Sequence, residues 1–142
     1  MRLLHNWNCP WSDATPPQGS YLGEYGELVA ASWLRTQGYK ILRRRFRMGN
    51  SGELDLVCRK GEMLVFVEVK SALHSSAGRP ARRINEHKRE LLRRAARLWL
   101  RRLGNPVPSR MDVVEVLLPP GSKPEVNHIT AAFPLQKEHS GF

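Results

Sequence analysis

Acidic residues are scarce in this chain, cysteine is nearly absent, and no apolar stretch is long. Asp and Glu together number 13 against 23 Lys and Arg, so the 142-residue chain carries +10 at neutral pH, with a pI near 10.4. Such a deficit of acid favours an anionic partner, nucleic acid first and an acidic membrane surface second. Two cysteines, Cys9 and Cys58, are too few for a disulfide framework and have no metal-motif spacing. No apolar run approaches the roughly 20 residues of a membrane-crossing helix. The N-terminus lacks a continuous apolar core of the secretory kind. The expectation is a cytoplasmic protein with no membrane partner. Internal repeats and low-complexity segments are also missing, and the length suits one domain with a single core.

What is present is organised around Ser51–Lys70, SGELDLVCRKGEMLVFVEVK. Leu, Val and Phe dominate two runs, Glu53–Arg59 and Glu62–Lys70, and Lys60-Gly61 between them suits a two-residue hairpin turn. Asp55 lies inside the first apolar run, and Glu68 and Lys70 close the second. With Arg59 opposite Glu62, Asp55 faces Phe66 and Glu53 faces Glu68. Glu53, Asp55, Phe66, Glu68 and Lys70 then share one face of the hairpin. Asp55 and Glu68 become diagonal neighbours, about 7–8 Å apart at the backbone, near enough for their carboxylates to converge.

Two converging carboxylates repel, and burying either alone is costly. A divalent cation relieves both problems, and an all-oxygen donor set suits Mg²⁺ or Mn²⁺ better than zinc. Lys70, on the same face, could position an attacking water or steady charge on a phosphate. Taken alone, D…ExK also describes an edge hairpin with a solvated, salt-bridged face.

Around this hairpin the residues resemble a known family. LGEYGELVAASWL, GYKIL, GELDLV, LVFVEVK, Gly78-x-Pro80 followed by Lys88, RMDVVEV and HITAAF occur in order between Leu22 and Phe133. Together they resemble the YraN family of uncharacterised bacterial proteins, which is similar to the PD-(D/E)XK, restriction-endonuclease-like nucleases and to archaeal Holliday-junction resolvases. The resemblance implies an α/β fold, a restriction-endonuclease-like αβββαβ core with a mixed central sheet flanked by helices. It implies metal-dependent hydrolysis of phosphodiester bonds in DNA, including branched or repair intermediates. Asp55 and Glu68 would hold Mg²⁺ or Mn²⁺ with the carbonyl of Val69, Lys70 would orient the water, and Glu27 of the first helix would join the metal. Glu27 otherwise reads as a surface glutamate favourable near a helix N-terminus, and Glu24 is the alternative ligand. The chain departs from the family pattern in three places: Ala72 replaces an Arg, Arg45 an Asn and Arg83 an Ala.

Along the rest of the chain, residues 1–20 read as an irregular extension whose Trp7 and Trp11 would pack on the domain or stack on bases. Residues 21–134 form the nuclease-like domain and 135–142 a loose tail. Leu22–Gln37 reads as a helix stopped by Gly38, and Lys40–Arg47 as a strand with a basic outer side. Ser71–Arg79 has the composition of a loop beside a site, and Pro80 introduces a helix over Arg83–Leu103. Ile84, Leu91, Ala95 and Leu98 form its apolar stripe, with Lys88 inside that arc. Ten basic residues between Arg79 and Arg102 meet only Glu86 and Glu90, a local excess of +8. Such an excess reads as either a solvated face or a phosphate-binding one. The nucleic-acid contacts expected are Arg43, Arg45, Arg79, Lys88, Arg93, Arg94 and Arg97. Met111–Leu118 reads as an apolar strand interrupted by Asp112 and Glu115, and Glu125–Thr130 as a short last strand. A nuclease fold that binds nucleic acid without cleaving it is the rival reading, and a basic protein-interaction module is the third. A homodimer is left open.

Overall fold

The computed structural model describes residues 2–3, 21–73, 84–119, 121 and 123–136. The elements are β1 (Arg2–Leu3), α1 (Tyr21–Thr36), β2 (Lys40–Phe46), β3 (Leu54–Lys60), β4 (Met63–Ala72), α2 (Glu86–Leu103), β5 (Ser109–Leu117) and β6 (Glu125–Phe133). From α1 to β5 this is the αβββαβ order, a restriction-endonuclease-like core. The strands form one mixed sheet, β1-β6-β5-β4-β3-β2, in which only β4 and β5 run parallel. A parallel pair needs a crossover, and α2 supplies it.

The sheet carries a helix on each face. On one side α1 buries Val29, Ala30, Trp33 and Leu34 against Leu56, Val65, Val67, Val114 and Val116. On the other, Leu92, Ala95 and Ala96 of α2 cover Val57, Phe66, Met111 and Val113. Both faces of β4 are therefore buried, which explains its unbroken apolar run, Leu64 to Val67.

Local chemistry sets the helix ends. Gly38, at φ +90°, follows α1 in the left-handed conformation that an L side chain resists. Asn85 caps α2 by accepting from the Lys88 N–H at 2.9 Å, and Gly104 closes it at φ +79°. The helix thus starts at Glu86 rather than Arg83. Ile84 lies before it, and the buried stripe turns to Leu92, Ala95 and Ala96 instead of Leu91, Ala95 and Leu98.

The hairpin differs from expectation in register. Lys60 pairs with Met63 and Leu56 with Val67, a slide of two residues from the Arg59–Glu62 pairing. The turn residues are Gly61 and Glu62, and Gly61 has φ +59° while Glu62 has no positive φ. Glycine at the first turn position is the type II′ preference, so the turn moves one residue to place it there. A slide of two keeps parity, so Asp55 and Glu68 stay on one face. Glu53 falls before the strand and has no partner in the register.

Other expectations shift too. Arg2 and Leu3 pair with Val126 and Glu125, so the N-terminal segment is not irregular throughout. Trp7, Trp11 and the Ser71–Arg79 loop beyond Leu73 lie outside the described residues. The last strand runs on to Phe133 past an irregularity where Met111 pairs with Phe133 but Val113 with Ile129.

Asp112 accounts for that irregularity. Fully buried, it accepts from the Ala131 N–H at 3.0 Å, from Arg110 Nε at 2.9 Å and from His128 Nε2 at 2.6 Å. Arg110 also donates to the Tyr39 hydroxyl at 2.8 Å, and the His128 ring meets Trp33 and Tyr39 edge-on. Burial alone would raise the Asp112 pKa. The bonds from His128, Arg110 and Ala131 outweigh it and hold the carboxyl below its ordinary value. Asp112→Asn should therefore cost about 1–3 kcal/mol, the scale of leaving buried charged donors poorly met. Urea unfolding of the variant measures it, and an unchanged midpoint would refute this anchoring role.

Candidate metal and phosphodiester site

The site lies where β3 and β4 part. Their last paired residues are Leu56 and Val67. Beyond that point the Val69 N–H has no strand partner on this side, and Asp55 Oδ2 accepts it at 2.7 Å. Strand β3 turns over here as well. Leu56 packs on the α1 side, whereas Leu54, two residues away, packs on the α2 side. The loop before β3 is pinned to α2 by the Gly52 N–H donating to Leu91 O at 3.1 Å, where a Cβ on Gly52 would crowd Leu91.

Beside Asp55 lies Glu68, only 4 % exposed. Lys70 Nζ stands 3.2 Å from Glu68 Oε1, and Lys88 Nζ of α2 stands 4.0 Å from the same atom. The inward direction expected of Lys88 is thus observed, with Glu68 as its target. Glu68 Oε2 is buried with no hydrogen-bond partner. A carboxylate oxygen out of water and without a donor is costly, and needs a cation or a proton.

Asp55 shows the same demand. Burial first, and then the charge of Glu68, push its carboxyl up to about 9, against the opposing Val69 N–H. Without metal, Asp55 is driven towards its protonated form, which can hydrogen-bond to Glu68. A half-buried Asp55 beside a buried Glu68 with an orphaned oxygen, both oxygen donors, fit a hard divalent cation such as Mg²⁺ or Mn²⁺. Among the described residues no three Asp, Glu, His or Cys side chains converge on one point.

Glu27 comes near without joining. Helix α1 presses so closely on β4 that a Cβ on Gly26 would collide with Ser71 Oγ, which brings the next residue to the rim of the site. Its charge contributes to raising Asp55, yet its Oε2 is held by Arg45 Nε at 3.0 Å. Arg45 Nη2 also meets Glu24 Oε1 at 3.0 Å. Glu24, the alternative ligand, is engaged by the same guanidinium.

The basic residues divide. Arg43 and Arg94 are exposed. Arg79 lies outside the described residues. Arg97 pairs with Glu90 at 2.9 Å. Arg93 departs from its expected role: it is 2 % exposed, bonded to Glu86 at 2.7 Å and to the Pro134 carbonyl at 2.8 Å, and lies over the Phe133 ring. It fastens α2 to the end of β6 and presents no charge to a ligand.

One nearby carboxylate did not emerge from sequence as a site residue. Glu115 is fully buried and stands beside Lys70 in the β4–β5 register. Its Oε1 accepts from Asn127 Nδ2 at 2.8 Å, and its Oε2 has no partner. The available signal was its parity with Val113 inside an apolar run, which turns it to the α2 face with Glu68 and Lys70.

Residues 26–116 match the model of the uncharacterised protein family UPF0102. A UPF0102 protein of Nocardia farcinica is 42% identical over 113 residues, 79% of this chain and 88% of the relative. One from Syntrophomonas wolfei is 43% identical over 113 residues, 79% of this chain and 96% of the relative. One from Pelobacter propionicus is 40% identical over 127 residues, 87% and 90% respectively. The matched span contains Glu27, Asp55, Glu68, Lys70 and Glu115, and the chain belongs to the UPF0102 (YraN) family.

Proposed function

We propose that this protein is a metal-dependent nuclease that hydrolyses phosphodiester bonds, with Asp55 and Glu68 as metal ligands and Lys70 as the catalytic cation. The observation that carries this reading is the half-buried Asp55 beside the buried Glu68, with Glu68 Oε2 orphaned and Lys70 3.2 Å from Oε1. A bound Mg²⁺ or Mn²⁺ would place Lewis-acid charge on the scissile phosphate and on the attacking water. As a ligand Asp55 would lose its proton to solvent, and the Val69 N–H orients its carboxylate. Glu68 is oriented by Lys70 and Lys88. The Lys70 ammonium has three hydrogens and spends one on Glu68, so others can reach the water or a phosphate oxygen. The resemblance to junction resolvases favours DNA over RNA.

Charge elsewhere supports an anionic polymer. Strand β2 is the sheet's edge and exposes Arg43 and Arg44, and Arg47 just after it is exposed too. Arg94, Arg101 and Arg102 are exposed on α2. Since Arg93 and Arg97 are engaged by Glu86 and Glu90, the phosphate-binding surface shifts from the middle of α2 towards β2. Replacing Arg43, Arg44 and Arg47 with Glu should weaken binding to any DNA sequence by about 10-fold or more and flatten its salt dependence. Fluorescence anisotropy at two salt concentrations measures this, and unchanged affinity in the folded variant would locate the surface elsewhere.

One observation favours the second reading, binding without cleavage: Glu27 is held by Arg45. The deciding experiment incubates purified protein with Mg²⁺ or Mn²⁺ and branched, duplex and single-stranded DNA and RNA. Metal-dependent cleavage of any of them supports the nuclease. Binding to all with cleavage of none leaves the binding protein.

A further inference from the structure

Arg45 occupies a position that its own backbone disfavours. Its φ is +53°, and Arg45 and Ala131 are the non-glycine residues with positive φ among the described residues. That region suits Asn, Asp or Gly and is strained for a long side chain. Arg44 pairs with Leu56 and Phe46 with Leu54, so Arg45 faces Asp55 across the ribbon. From there its guanidinium spans to α1, 3.0 Å from Glu27 Oε2 and 3.0 Å from Glu24 Oε1.

Arg45 is 42% exposed along its side chain, while Glu27 is only 12% exposed. Glu27 is thus a shielded carboxylate beside Asp55, already neutralised by a cation that water and solutes can reach. A guanidinium pairs with phosphate as readily as with carboxylate, in the same forked geometry. A phosphodiester arriving at the rim would compete for it. Charge makes the exchange favourable at both ends, because the phosphate gains a cation and the metal centre gains the carboxylate that Arg45 releases.

We propose that Arg45 is a phosphate-operated latch on Glu27. In the free protein it keeps Glu27 from the metal centre, so Asp55 and Glu68 bind the ion alone and loosely. When nucleic acid lies against β2, Arg45 transfers to a backbone phosphate and Glu27 completes the ligand set. Metal and nucleic acid therefore bind cooperatively, and by linkage each raises affinity for the other by the same factor. This rests on the nuclease reading for the identity of the metal centre. It adds the residue that couples the centre to substrate.

Calorimetric titration of the full chain with Mn²⁺ tests it, alone and with a 12-nucleotide single strand of phosphorothioate linkages, which keep the charge and resist hydrolysis. The wild type should bind Mn²⁺ about 10-fold more tightly with the strand present, within the usual range of coupling. Arg45→Asn, suited to the positive φ and therefore expected to fold, should bind Mn²⁺ tightly with or without the strand. Adding Glu27→Gln to it should return the affinity to that of the free wild type. Wild-type binding that Arg45→Asn leaves unchanged overturns the latch and spares the metal centre. Absence of Mn²⁺ binding by wild type in both conditions overturns both.

Discussion

Lys70→Ala should leave nucleic-acid affinity intact and slow metal-dependent cleavage by roughly 10²–10⁴-fold, the scale of losing a positioned electrostatic or proton-handling group. The separation follows from where the side chain sits. Lys70 belongs to a central strand, and its own stretch is paired with β5 through Glu115, so the backbone does not depend on its side chain. Its ammonium is directed inward to Glu68 rather than to the arginines of β2. Lys88, 4.0 Å from Glu68 Oε1, stays to offset the carboxylate in the variant. Single-turnover cleavage with Mn²⁺, paired with anisotropy for binding, separates the two quantities. A fall in affinity that matches the fall in rate would make Lys70 a phosphate anchor only.

Asp55→Asn should do the opposite to stability and to metal binding. A carboxyl raised to about 9 from 3.8 favours the folded state at low pH. That advantage is lost as pH rises from about 4, the unfolded value, through about 9, the folded one. The metal-free wild type should therefore weaken across this window, where Asp55 must either keep a proton against the solvent or stand ionised beside Glu68. Asn has the same shape, can accept from the Val69 N–H and can donate to Glu68, with no charge to bury. In EDTA the variant should exceed the wild type in stability, and the margin should widen by about 2–4 kcal/mol between pH 5 and pH 8. Its Mn²⁺ affinity should collapse, since one of two ligands has lost its charge. Urea unfolding at the two pH values is the measurement. A margin that does not change with pH would show that Asp55 is ionised in the free protein.

The core order and the carboxylate pair were legible in the sequence because both rest on short-range pattern. Alternation in LDLVCRK and the glycine at position 61 produce a hairpin whatever surrounds it. Parity survived a wrong register because the turn moved one residue and the pairing therefore slid by two. Positions set by distant partners were not legible. Arg93 is buried because Pro134, 41 residues away, offers it a carbonyl and Phe133 a ring. Asp112 tolerates burial because Arg110 is braced by Tyr39, 71 residues away, and because His128 reaches it from β6. Helical periodicity could not distinguish Leu91 and Leu98 from Leu92 and Ala96, since Arg93 lay between them and looked like surface. Arg45 read as one of several arginines on a basic strand, since φ at a single residue leaves no mark in composition.

On the proposed reading, Asp55 favours its protonated form beside Glu68 because the two carboxyls are a cation site. Mn²⁺ titration calorimetry at pH 7 in two buffers of different ionisation enthalpy tests it most directly, because the difference between the observed heats counts the protons released. Metal binding to protonated ligands expels protons, so the account predicts a saturable site that releases about one proton per Mn²⁺. Both the binding and the release should disappear in Asp55→Asn. Binding with no proton released, or binding that survives in that variant, would contradict it.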